Sequence, residues 1–214
     1  MSIWAVIPVK PLNRAKSRLA GVLSAEQRYE FATMIYRHVL TVASSVKHLA
    51  GTVVVSRDTK ALAMAREVGA RTIQESNPSD SNPALKRATE MVKAWRGSAV
   101  LILPADLPFV TADDLHNMIE MMLGAMCVVL ATDAVQDGTN AMLVRPPGLF
   151  DYQYGVGSYR KHAQAAQEAG AIVKTYQSET IAIDIDVPED LSRYNEMVLR
   201  GNYTSLAPFL PDLI

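Results

Sequence analysis

"AVLILPADLP", residues 99–108, decides how the chain is read. Five apolar residues, Ala99 to Leu103, follow one another without alternation and then meet a carboxylate, Asp106, set between Pro104 and Pro108. A short continuous apolar run rich in Val, Ile and Leu reads as a strand buried on both faces, the habit of parallel sheets. A carboxylate is costly to bury without a partner. The stretch therefore predicts a central strand with something cationic waiting at its carboxyl end.

Outward from it, the texture alternates between strand and helix. Residues 3–9, 51–56, 71–75 and 125–131 read as strands. Residues 25–46, 58–70, 84–97 and 111–123 carry helical apolar spacing, with Ser24 as an N-cap and Gly69 as a stop signal. The order βαβα(β)αβαβ predicts an α/β fold with a mostly parallel central sheet and helices on both faces. Beyond residue 131 the chain turns rich in Gly, Pro and polar residues, with a short strand "AMLVR". It continues with a helix over 158–169, strands "AIVKTY" and "IAIDI", and a helix from Pro188. No repeat or linker interrupts it, so one domain spanning 1–214 is expected.

Lys and Arg number 21 against 22 Asp and Glu, a formal net charge of -1, which argues against a nonspecific nucleic-acid binder. Yet Lys10, Arg14, Lys16 and Arg18 crowd into nine positions directly after the first strand. Strand ends in open parallel sheets are where ligands bind. Cations there, with the backbone N–H groups of a loop, suit a small polyanion such as a triphosphate. The Gly-rich spacing of a Walker A loop is absent; the alternative is a solvated surface loop. The lone Cys127, inside "MCVVLA", reads as a buried structural thiol in a reducing, cytoplasmic setting. No apolar run approaches the roughly 18 residues of a membrane span.

Further carboxylates complete the pattern. Asp106 suits a Mg²⁺ that bridges nucleotide phosphates, or else a helix cap or an arginine partner. In "IAIDIDVPEDL", Asp184 and Asp186 alternate with isoleucines and so face one way. Asp186, nearer the strand end, is the expected second metal ligand. Asp113, Asp114, Glu189 and Asp190 read as first-turn helix residues. Gly138, Gly155 and Gly157 allow close backbone approach, and Thr139 and Ser158 offer hydroxyls. Ser158 also opens a helix whose N-terminus suits an anion; two ordinary turns and an N-cap are the plainer alternative. Arg160 and His162 reach that anion or lie on the surface. His38, His48 and His116 show no ligand spacing.

Taken in order, "VIPVKPLNRAKSRL", "LPADLP", "DGTNAMLVRPP", "GVGS" and "DIDVPEDL" resemble the CofC family, guanylyltransferases of deazaflavin-coenzyme biosynthesis with a Rossmann-like nucleotidyltransferase fold. The resemblance covers about residues 3–192. It implies transfer of GMP from GTP to phosphoenolpyruvate or 2-phospho-L-lactate, in some members 3-phosphoglycerate, with pyrophosphate released. By position, Lys10, Arg14, Lys16 and Arg18 would hold the GTP phosphates, and Asp106 and Asp186 a Mg²⁺. Thr139, Gly155 and Ser158 would hold the acceptor, and Lys16 and Asp106 would carry catalysis. Asn82 would belong to the guanine side, although "DSNPAL" has Asp80 and Ser81 where relatives commonly have Gly and Leu; Val156 replaces a frequent proline. On this reading the nucleotide half is about 1–131 and the acceptor half about 132–192. The apolar tail, about 201–214, packs on its own domain or on a second copy in a homodimer. The rivals are a related transferase acting on a sugar phosphate or a molybdenum cofactor, and an inactive nucleotide-binding regulator.

Overall fold

The computed structural model describes residues 1–76 and 81–201. Among these residues seven strands join one sheet: β1 (Ile3–Val9), β2 (Leu49–Ser56), β3 (Arg71–Gln74), β4 (Ala99–Ile102), β5 (Cys127–Thr132), β6 (Thr139–Arg145) and β7 (Ile172–Tyr176). Their spatial order is β3-β2-β1-β4-β6-β5-β7. Every neighbouring pair is parallel except those made by β6, which runs against both β4 and β5. The helices are α1 (Ala25–Ser45), α2 (Thr59–Glu67), α3 (Ser81–Ala94), α4 (Ala112–Glu120), α5 (Ser158–Glu168) and α6 (Pro188–Arg200).

Side-chain alternation sorts the strands between two cores. Ile3, Ala5 and Ile7 of β1 pack with α1, α2, α4 and α6, through Phe31, Leu62, Leu115 and Tyr194 among others. Val6, Val100 and Ile102 face the opposite layer, where α3 and α5 contribute Leu85, Val92 and Ala166. Both faces are covered, as the unbroken apolar strands require. Cys127 is fully buried. Ser24 caps α1 in a reciprocal box with Gln27. Gly69, after α2, takes φ 77°, where a side chain would be strained.

The sequence reading is corrected at three places. The run 99–108 is a strand only to Ile102, because prolines at 104 and 108 cannot donate to a ladder; Asp106 therefore sits in a loop. Helix α3 starts at Ser81, three residues early, since Pro83 is tolerated in a first turn. The segment 181–185 is no strand. Ile181, Ile183 and Ile185 are buried while Asp184 and Asp186 are half-exposed, so the alternation is real. Its backbone bonds elsewhere: Asn140 Nδ2 donates to the Ile181 carbonyl at 2.8 Å, and the Asp186 and Val187 N–H groups donate to Asp190 Oδ2. The packing expected of the C-terminal tail falls on residues outside those described.

One buried carboxylate fixes where that segment begins. Asp114, in the first turn of α4, accepts from the Thr111 N–H and hydroxyl, Tyr176 Oη, Ser178 Oγ and Thr180 Oγ1, at 2.6–3.0 Å. Burial pushes its pKa up, but the bonds from Ser178, Thr180 and Thr111 outweigh that and hold it below the ordinary value of 3.8. Because the folded pKa is depressed, this stabilisation is complete above about pH 4 and is lost as pH falls through the folded value. Asp114→Asn, which replaces an all-acceptor group with a partial donor, should cost roughly 2–3 kcal/mol at neutral pH. Urea unfolding should show the gap between variant and parent narrowing as pH falls below about 4.

Candidate active site

The carboxyl ends of β1, β2 and β4, with the reversed start of β6, ring a cleft of about 740 Å³. The basic loop forms its wall through two short 3-10 turns, 12–14 and 17–19, anchored by the buried Leu12 and Leu19. Asp58 pins the loop: one oxygen accepts the Leu12 N–H at 2.8 Å while the other caps α2 at the Lys60 N–H. Ser56 Oγ donates to the Val9 carbonyl at 2.7 Å, tying the ends of β1 and β2 together. Lys10, Arg14, Lys16 and Arg18 all line the cleft.

Lys16 is the most constrained of these. Its backbone lies in the left-handed region, φ 55° and ψ 34°, rare for a residue with a Cβ. Its side chain is only 5% exposed, and Nζ stands 3.6 Å from Asp106 Oδ2 and 3.6 Å from Asp186 Oδ1. Arg18 adds a contact of 3.4 Å to the other oxygen of Asp186. The two aspartates, 80 positions apart in the chain, thus meet at one ammonium group. Asp184 completes the acidic group: burial, then the charges of Asp106 and Asp186, push its carboxyl up to about 6. Among the described residues no cluster of three or more His, Cys, Asp or Glu is arranged to hold a metal ion. Two half-exposed carboxylates at a cleft mouth nonetheless fit Mg²⁺, which takes one or two protein carboxylates and draws its other ligands from phosphate and water.

Across the cleft lie Thr139, Gly155 and Ser158. Gly155 has φ 130°, a conformation that strains any other residue. Ser158 does open α5, but the first N–H groups there are taken: Gly157 N–H donates to Asp137 Oδ2, Ser158 N–H to the Gly155 carbonyl, and Tyr159 N–H to the Asp137 carbonyl. An acidic residue already occupies the helix start, so the expected anion site at that N-terminus is not supported by these bonds. Asn82 lines the cleft, yet its amide brackets the backbone of Tyr154, accepting its N–H at 2.8 Å and donating to its carbonyl at 3.3 Å. It joins α3 to the loop before α5 rather than presenting a free amide to a base.

His162, left between the anion and the surface by sequence, is fully buried. The Gln153 N–H donates to its Nε2 at 2.9 Å, and its Nδ1 meets Thr139 Oγ1 at 2.9 Å. His48 and His116, which had no spacing signal, lie with Nδ1 atoms 3.3 Å apart on the surface, outside the cleft lining. Sequence also passed over Tyr154. Its hydroxyl is buried and has no partner among the described residues, and its pKa is raised by burial, by Tyr152 and by Asp106.

Burial, then the charge of Lys161, pulls His162 down to about 4. The unfolded chain, with a His pKa near 6.5, therefore binds the proton more readily between these values, and stability falls as pH drops through that window. His162→Gln should flatten that slope, which is worth roughly 3 kcal/mol between pH 6.5 and 4. Chemical denaturation at a series of pH values measures it; an unchanged slope would assign the titration elsewhere.

A family model described as "Guanylyl transferase CofC like" matches residues 3–213. A phosphoenolpyruvate guanylyltransferase of Rubrobacter xylanophilus is 36% identical over 193 residues, covering 90% of this chain and 93% of that one. A 2-phospho-L-lactate guanylyltransferase of Methanothermobacter thermautotrophicus is 28% identical over 213 residues, covering 100% and 92%. Among solved structures, a nucleotidyl transferase from Methanothermobacter superposes with a TM-score of 0.65 at 19% identity, covering 94% of this chain and 99% of that one. At that identity the likeness concerns the fold, which is a Rossmann-like nucleotidyltransferase sheet.

Proposed function

The chain belongs to the family of CofC-like guanylyl transferases, and from that premise we propose that it transfers GMP from GTP to phosphoenolpyruvate, releasing pyrophosphate, in deazaflavin-coenzyme biosynthesis. The supporting observation is the meeting of Lys16, Asp106 and Asp186 in the cleft that Thr139, Gly155 and Ser158 also line. Phosphoenolpyruvate is favoured because relatives named for it span 27–36% identity and include the five most similar of those compared, while those named for 2-phospho-L-lactate stand at 28% and 30%. 2-Phospho-L-lactate is the second reading. Both are three-carbon phospho-carboxylic acids, and the buried thiol and these substrates suit a cytoplasmic setting.

The reaction asks little covalent chemistry of the protein. A phosphomonoester with a second pKa near ~6 is largely ionised at neutral pH, so its oxygen attacks the α-phosphorus of GTP without a base. A new P–O bond forms as the bond from the α-phosphorus to pyrophosphate breaks, and the electron pair leaves with pyrophosphate. What the protein supplies is alignment and relief of repulsion between anions. Lys10, Arg14, Lys16 and Arg18 hold the triphosphate; Thr139, Gly155 and Ser158 orient the acceptor. Asp106 and Asp186 would hold a Mg²⁺, which when bound neutralises charge on the phosphate oxygens.

The test is to incubate the purified protein with GTP, Mg²⁺ and each acid in turn and to identify the guanylated product by mass. A guanylated phosphoenolpyruvate is expected; product with a sugar phosphate alone, or none with either acid, rejects the assignment. Asp106→Asn should lower turnover by about 100-fold or more with an unchanged melting temperature. Lys16→Ala should raise the KM for GTP and slow transfer; unchanged GTP kinetics would place that lysine outside the reaction.

A further inference from the structure

His162 is not among the residues that the family resemblance brings to the cleft, yet it is wholly buried behind one of them. Its hydrogen-bond polarity is fixed by a group that can act in only one way. The Gln153 backbone N–H can only donate, and it points at Nε2 from 2.9 Å, so Nε2 carries the lone pair. In a neutral imidazole the proton then resides on Nδ1, and Nδ1–H donates to Thr139 Oγ1 at 2.9 Å.

The same reasoning continues one atom further. Ser158 Oγ accepts the Thr139 N–H at 2.9 Å and directs its own hydroxyl to Thr139 Oγ1 at 3.3 Å. Thr139 Oγ1 therefore receives two hydrogen bonds, which use its lone pairs and leave its proton to be given away. Thr139 lines the cleft. We infer that His162 is a positioning residue which, with Ser158, fixes the Thr139 hydroxyl as a donor to an anionic oxygen of the acceptor. This rests on the reading that Thr139 belongs to the acceptor site. The neutral state that the arrangement requires agrees with the lowered pKa of the buried ring.

A His162 that merely filled space would respond to substitution by size; this role responds to which nitrogen is replaced. The Asn amide nitrogen takes the position of Nδ1 and keeps a donor for Thr139. A Gln side chain reaches the position of Nε2, keeps a partner for the Gln153 N–H and gives Thr139 nothing. Steady-state kinetics of the full chain with GTP, Mg²⁺ and phosphoenolpyruvate separate the two. His162→Gln should raise the acceptor KM by about 10-fold or more, the usual effect of a lost hydrogen bond to a charged group, with the GTP KM within about twofold. His162→Asn should recover most of that loss. His162→Gln combined with Thr139→Val should be no worse than Thr139→Val alone.

Equal damage from Asn and Gln, multiplicative effects in the double variant, or parallel rises in both KM values would overturn the positioning role. A Thr139→Val protein with an unaltered acceptor KM would instead remove the acceptor-site reading on which it stands. Thermal melting of each variant separates loss of fold from loss of recognition.

Discussion

One ammonium group holds the cleft together. Lys16 stands between Asp106 and Asp186, and through them joins the loop after β1, the loop after β4 and the segment entering α6. The lysine side chain is nearly buried, while both carboxylates stay half-exposed at the cleft mouth. Water shares in solvating both aspartates, so losing one of them costs positioning in the cleft far more than it costs stability. The left-handed backbone at Lys16 costs of order 1–2 kcal/mol. Leu12, Leu19 and Asp58 offset it by fixing the loop on either side. On the proposed reading, a phosphate bound here meets a cation already withdrawn from solvent and aimed, rather than flexible lysines collected from solvent.

The sequence made much of this visible because the strongest signals were physical necessities. An apolar run ending in a carboxylate had to be a buried strand leading to a cation, and both the ladder of β4 and the ion pair of Asp106 follow. What stayed hidden has a common cause. Asn82 and His162 act on backbone groups of Tyr154 and Gln153, and any residue supplies those, so no spacing or composition marks the partnership. The strand expected at 181–185 fails differently. Period-two burial records which side chains face the core, not what the backbone pairs with, and here a side-chain amide and the Asp190 carboxylate replace the ladder.

The two halves of the cleft are also fastened to each other. Asn82 clamps the start of α3 to Tyr154, one residue before Gly155. Asp137 grips Gly157 and Tyr159, and Thr139 is bonded to Ser158 and His162. Asp114 gathers residues 176–180 at the opposite edge and so sets the approach of Asp184 and Asp186. Each bond is ordinary. Together they give hydroxyls and carboxylates few ways to lie other than facing the same space, which is the kind of preorganisation that spares a reaction the cost of rearranging its surroundings.

The reversed direction of β6 has an implication for how such a protein diversifies. Every other strand runs toward the sheet edge that carries the cleft, whereas β6 starts there and runs away from it, and the chain reaches α5 soon afterwards. Thr139, Gly155, Ser158 and His162 thereby fall within one stretch of 24 residues, Thr139 to His162, apart from the loop that carries the cations. On the proposed reading, a lineage that exchanges that single cassette changes its choice of acid and inherits the triphosphate grip intact, so selectivity and leaving-group chemistry are free to evolve on separate clocks.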